Sequence, residues 1–232
     1  MTPHSKRSSR HKSRSKLWLA IGIIVIIILG IGIYEAFANS SNKPANSLPS
    51  STPTPSTTQT SNTEYSANST KILLHTSAGD ITLELRDDKP ITATNFVNIV
   101  EKGWYDGTIF HRTMAGFMIQ GGMIENHTVS AISDEIGQDN RNLPYTIAMA
   151  KTSDPNSATS QFFINVVDNG NNYVDQAHTI KFDSVYTVFG KVISGQNVVD
   201  TIANAPVTTN PYNGEPSVPI NPVTIISATI IS

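Results

Sequence analysis

Hydrophobic and polar positions along the chain fall into three regimes. From Leu17 to Tyr34 every residue is uncharged, and Ile, Leu and Val crowd together without alternation. A helix of that length, rising 1.5 Å per residue, nearly crosses a bilayer's hydrocarbon core, so the pattern predicts a transmembrane helix over 17–38. From Asn39 to Thr70 there is no periodicity: Ser, Thr, Asn, Pro and Ala dominate, and Leu48 and Tyr65 are the only large apolar residues. Such a stretch cannot bury enough surface to offset ordering, which predicts a disordered linker over 39–70. From Lys71 onward short runs alternate with period two, the signature of half-buried strands, and predict one domain over 71–232. Strand-like runs are Lys71–Thr76, Ile81–Arg86, Ile109–Met114, Phe117–Gln120, Thr146–Ala150, Gln161–Val166, Tyr186–Val192 and Val223–Ile230. Helical spacing of Phe96, Val97 and Val100, with Gly103 as a stop, predicts a helix from about Thr92 to Lys102, and a second fits Gln196–Ala203. The expected architecture is mainly β: a closed eight-stranded antiparallel β-barrel capped by two α-helices.

Charge gives the first regime a direction. The totals, 16 Lys+Arg against 18 Asp+Glu, look balanced. Yet Lys6, Arg7, Arg10, Lys12, Arg14 and Lys16 all lie in a basic tail over 1–16 that holds no acid. The rest of the chain carries a formal net charge of −8. Basic residues before an apolar span predict a cytoplasmic N-terminus, a single-pass membrane anchor and a C-terminal domain outside the cytoplasm. Ala36-Phe37-Ala38 also fits a signal-peptide cleavage site, which leaves a cleaved leader as the alternative. A nucleic-acid arm is disfavoured, because the tail abuts the apolar span.

Composition narrows the chemistry. With no cysteine, thiolate zinc sites, disulfides and a cysteine nucleophile are excluded. No phosphate loop, dinucleotide fingerprint or Gly-x-Ser-x-Gly elbow is present, and no two histidines are spaced i, i+4, so neither metal nor cofactor is expected. The concentrated signal is the run from Ile109 to Gly122. On a strand Phe110, Arg112 and Met114 share one face and His111 and Thr113 the other, which sets a cation among large apolar side chains. Gln120 and the pair Gly121-Gly122 follow, behind Phe117-Met118.

This run resembles the signature of the cyclophilin peptidyl-prolyl isomerases, and the likeness extends through the domain. Thr76-Ser77-Ala78-Gly79-Asp80-Ile81, Asn95-Phe96-Val97, Gly107-Thr108-Ile109-Phe110-His111-Arg112, Ala148-Met149-Ala150, Ser157-Ala158-Thr159-Ser160-Gln161-Phe162-Phe163-Ile164-Asn165 and Val188-Phe189-Gly190-Lys191-Val192 reproduce the family's order of motifs. Ser-Ala-Thr-Ser-Gln is similar to the bacterial branch. The resemblance implies an enzyme that accelerates X-Pro rotation in unfolded or extended polypeptide segments, with Arg112 as donor to the proline nitrogen. It also implies that Gln120 binds the substrate backbone and that Phe117, Met118 and Phe163 form the proline pocket, closed by Tyr186. Ala150, Gln161, Tyr173 and Val174 are implied along the groove. Phe110, Phe162 and Phe189 are expected in ordinary core. Three departures stand out: Tyr173 replaces a tryptophan of eukaryotic members, implying weak cyclosporin binding; Tyr186 replaces a histidine; Lys151 replaces a groove asparagine. The domain reads as monomeric. A competing expectation from a different class is a Pro-peptide-binding module whose turnover is dispensable.

Overall fold

β1 (Lys71–Thr76) and β2 (Gly79–Leu85) form the hairpin that the alternation around Ser77-Ala78-Gly79 predicts. In the computed structural model the described residues are 68–137, 139–175 and 178–232. The basic tail 1–16, the predicted membrane span 17–38 and the linker up to residue 67 lie outside them. No helix of the described residues is long and apolar enough to cross a membrane.

Eight strands make one antiparallel sheet. With β3 (Arg112–Met114), β4 (Met118–Gly121), β5 (Thr146–Met149), β6 (Phe162–Asn165), β7 (Val188–Ser194) and β10 (Ile225–Ile230), the order is β10-β1-β2-β7-β5-β6-β4-β3. The expected closed barrel needs one correction. β3 and β10, the edges of this sheet, share no ladder; β3 pairs only with β4 and is packed by β9. The sheet curls on itself instead, and the segments leading into the two edges meet at a single bridge, Ile109 with Thr224. Backbone hydrogen bonds from Phe110 N to Val223 O (2.9 Å) and Ile225 N to Thr108 O (2.8 Å) hold that seam.

Strand alternation divides the side chains between two apolar bodies. Ile119, Ile147, Met149, Phe162, Ile164 and Phe189 enter the main core with Phe96, Tyr105 and Phe110. Their neighbours Met118, Ala148, Phe163 and Val188 enter a second cluster on the opposite face. Phe110 corrects the expectation that it shares a face with Arg112. Continuous pairing starts only at Arg112, so the period-two rule does not reach back to Phe110.

Two helices cover the core among the described residues. α1 (Pro90–Glu101) buries Thr92, Phe96, Ile99 and Val100, and α2 (Gln196–Ala203) buries Val198, Val199, Ile202 and Ala203, one stripe each. Proline suits the start of α1, where its missing N–H costs nothing. The next amides are capped from a distance: Ile91 N and Thr92 N donate to Glu135 Oε1 and Oε2 at 3.1 and 2.8 Å. A carboxylate there satisfies orphan donors and the positive end of the helix dipole. A short hairpin of β8 (Val207–Thr209) and β9 (Pro216–Pro219) packs against β3. It carries prolines and little apolar alternation, and no strand is predicted there from the sequence.

Gly121-Gly122 lets rings approach the end of β4. A Cβ on Gly122, whose φ is +74°, would lie 2.8 Å from the Phe162 ring and 2.9 Å from Ser160 O. Gly122→Ala is therefore expected to lower unfolding free energy by about 2–4 kcal/mol through backbone strain and overpacking, as read by urea denaturation.

Candidate active site

Pairing of β3 with β4 sets Arg112 opposite Gln120, and pairing of β4 with β6 sets Gln120 opposite Phe163. Side chains directly opposite on one sheet face are neighbours, so backbone register alone assembles a cation, an amide and an aromatic ring. Ala148, opposite Phe163 on β5, packs in the same apolar cluster. The loop between β3 and β4 supplies Phe117, and the guanidinium carbon of Arg112 lies 5.6 Å from its ring centre.

An open pocket of about 150 Å³ results. Eight of the ten residues expected at the site line it: Arg112, Phe117, Met118, Gln120, Ala150, Gln161, Phe163 and Tyr186. Phe163 meets Tyr186 edge-on at 5.3 Å and Phe182 at 6.0 Å, and Phe117 meets Phe182 at 5.6 Å. Phe182, missing from the sequence reading, belongs to a single 3-10 turn, Phe182–Ser184, with no periodic pattern to mark it.

The remaining two expected residues stand beside the pocket. Val174 packs behind the second apolar cluster, and Tyr173 is 36 % exposed with its ring 5.3 Å from His178. Their loop is drawn together by its own bonds, Tyr173 bridging Lys181 and Val174 N donating to Ile180 O at 2.8 Å, and Phe182 takes the wall instead. On the opposite wall Lys151, Thr152, Ser157 and Thr159 line the groove. The ammonium of Lys151 is held by Asp134 Oδ2 at 2.6 Å.

Arg112 is gripped by a residue that strand signals do not reveal. Its Nε donates to Oε2 of Glu215 and its Nη2 to Oε1, both at 2.6 Å, and both side chains are mostly buried. Nη1, the nitrogen Glu215 leaves unengaged, makes a long 3.4 Å contact to Gln120 Oε1. Gln120 Nε2 donates onward to Gln161 Oε1 at 2.9 Å. Burial pushes the Glu215 carboxyl up, but hydrogen bonds from Arg112 and its charge outweigh that and hold it below the ordinary value. The sequence does hold one clue: Glu215 is the only charged residue between Thr201 and Ser232.

Burial raises the Tyr186 hydroxyl well above its ordinary value, so it stays a neutral edge. His111 faces away from the pocket, and neither ring nitrogen has a well-formed hydrogen bond. Burial first, then the Arg112 charge, lower its pKa to about 4, while the nearby Ile109 backbone offsets part of the shift. Among the described residues no group of three His, Cys, Asp or Glu could hold a metal ion.

Residues 71–230 match the family model of the cyclophilin type peptidyl-prolyl cis-trans isomerases. The chain belongs to that family. A peptidyl-prolyl cis-trans isomerase of Acinetobacter baylyi is 47% identical over 169 residues, 70% of this chain and 86% of the relative. Peptidyl-prolyl cis-trans isomerase B of Escherichia coli is 40% identical over 165 residues, 68% and 98% of the two chains. Among solved structures, a cyclophilin type isomerase of Cryptosporidium parvum superposes with a TM-score of 0.58 at 26% identity, covering 71% of this chain and 98% of the other. The activity of this cyclophilin is prolyl cis-trans isomerisation.

His111 makes the fold acid-sensitive. Its folded pKa lies below the unfolded 6.5, so between about pH 6.5 and 4 the unfolded chain binds more protons and stability falls with pH. The loss is expected to approach about 3 kcal/mol at the lower end. Denaturant midpoints across that window should show it, and His111→Gln should flatten the slope. The lowered Asp88 and Glu215 carboxyls add their own losses further down.

Proposed function

We propose that the cyclophilin domain isomerises X-Pro bonds in extended segments of exported proteins, held outside the cytoplasm by a membrane span at 17–38 and a linker at 39–70. The supporting observation for the chemistry is that Arg112, with Nη1 turned toward Gln120, lines one pocket with Phe117, Met118, Phe163, Phe182 and Tyr186. Rotation about a prolyl bond breaks amide resonance, behind a barrier near 18–20 kcal/mol. Proton transfer and covalent chemistry are unnecessary; the site must bind the twisted amide better than either planar isomer. As the bond twists, the proline nitrogen loses conjugation and becomes an acceptor. A fixed guanidinium donor beside it is then stronger in the transition state than in the ground state, and it stays charged at any working pH.

Each pocket residue takes a part in that reading. Phe117, Met118, Phe163, Phe182 and Tyr186 receive the proline ring, which excludes water and strengthens the arginine contact. Gln120, steadied by Gln161, holds the substrate backbone so that rotation is confined to one side of the bond. Ala150 borders the preceding residue. The Cryptosporidium relative has been crystallised in the presence of the dipeptide Ala-Pro, a peptide of the class proposed here as substrate. Tyr173, outside the pocket lining, offers little to cyclosporin, and weak binding is expected.

Arg112→Ala in the full chain is expected to lower kcat/KM for a Pro-containing peptide by about 10²–10³, as read in a protease-coupled assay on protein shown folded by circular dichroism. An unchanged rate would remove the arginine mechanism, and full rescue of a deletion phenotype by that variant would favour a binding module. Topology has a separate test. Protease added outside intact cells should digest residues 71–232 and spare the N-terminal tail, and the protein should stay with the membrane fraction. A soluble product beginning near Asn39 would show a cleaved leader instead.

A further inference from the structure

A guanidinium can serve as a directed donor only if something stops it from swinging. Arg112 has four rotatable side-chain bonds and springs from a three-residue strand, and its ring contact with Phe117 fixes distance without fixing which nitrogen faces the pocket. Selection among its nitrogens comes from Glu215. The carboxylate takes Nε and Nη2 together, the two-point geometry that fixes the guanidinium plane and its rotation at once.

Glu215 is itself built in. Its backbone N donates to Asn213 Oδ1 at 3.0 Å, and its carbonyl accepts from Asn210 N at 2.7 Å. Pro216 follows, which restricts the backbone of the preceding residue to extended conformations. The hairpin that carries it packs on β3, the strand that carries Arg112. A carboxylate so placed lowers the net charge near the pocket, and a site needing only positive field would do better without it. The arrangement makes sense if direction matters more than field strength.

We propose that Glu215 is a positioning residue for the isomerase reaction: by holding Nε and Nη2 of Arg112 it presents Nη1 to the nitrogen of the twisting prolyl bond. The inference rests on the reading of Arg112 as the donor. It adds the β8–β9 hairpin to the machinery, as a brace behind the donor that does not touch the peptide.

The test is a double-mutant cycle in the full 232-residue chain, with a chromogenic Pro-containing tetrapeptide in the protease-coupled assay. Glu215→Gln keeps the shape but presents an amide N–H to one of the arginine's own N–H groups. It is expected to lower kcat by roughly 10- to 100-fold with KM nearly unchanged, because misdirecting a catalytic group by about 1 Å costs on that order. In the Arg112→Ala background the same change should cost nothing further. A Glu215→Gln rate near wild type, beside an impaired Arg112→Ala, overturns the positioning role alone. An equal loss in both backgrounds also overturns it, since the effect then bypasses the arginine. A wild-type rate for Arg112→Ala overturns the arginine reading itself. Should Glu215→Gln not fold, the wild-type protein still decides. The Arg112 Nε–H signal in a nitrogen-15 spectrum should exchange slowly with water at neutral pH, whereas exchange as fast as that of exposed arginines overturns the clamp.

Discussion

The inner part of the site rests on a parity constraint in four neighbouring strands. Over Met118–Ile119, Ile147–Met149, Phe162–Ile164 and Val188–Phe189 of β4, β5, β6 and β7, neighbouring apolar residues go alternately to the main core and to the second cluster. Phe162 and Ile164 fill the core while Phe163 between them faces out, and Ile147 and Met149 bracket Ala148 in the same way. A slip of one residue in any of these strands would exchange the two sets and destroy both bodies together. Register is further pinned where Gly121 and Gly122 let the rings of Phe110 and Phe162 close over the end of β4. Core packing and the strand-borne part of the site therefore share one cause.

The polar groups of the site form a single chain from Glu215 through Arg112 and Gln120 to Gln161. Burying a carboxylate and a guanidinium is tolerable because each satisfies the other, and the amides continue the pairing into the groove. None of the four members changes charge in the range where proteins ordinarily work. Tyr186 stays neutral and Glu215 ionised, so the pocket presents a fixed electrostatic pattern. That suits a reaction in which the substrate rearranges and no proton moves.

Much of this is legible in the sequence, for identifiable reasons. α2 spans the residues its apolar spacing predicts, and the β-strand positions follow alternation that burial imposes on sequence. Register then placed Arg112, Gln120 and Phe163 together, as the motif order implied. What the sequence concealed were contacts that periodicity cannot encode. The ion pair joins residues 103 apart, and Phe182 comes from a turn with no repeat. β9 is bounded by Pro216 and Pro219, residues that argue against a strand. Phe110 lies in the core as expected, but off the face of Arg112, because the ladder that sets strand parity begins only at Arg112. Tyr173 and Val174 missed the pocket wall because their loop is organised by bonds within itself, out of reach of any strand pattern.

The pairing of the domain's first strand with its last has a consequence for biosynthesis. Lys71 N donates to Ser232 O and Ile231 N to Lys71 O, and Thr76 stands opposite Ile225. Translation runs from the N-terminus, so β1 can find β2 almost at once, but its outer edge stays bare until β10 emerges. The barrel seam, which uses Val223 and Ile225, must wait equally long. A nascent domain of this topology carries an unpaired sheet edge and an open core for nearly the whole time of its synthesis, a state prone to aggregation. A cyclophilin domain of this topology thus cannot close its sheet until β10 has been made.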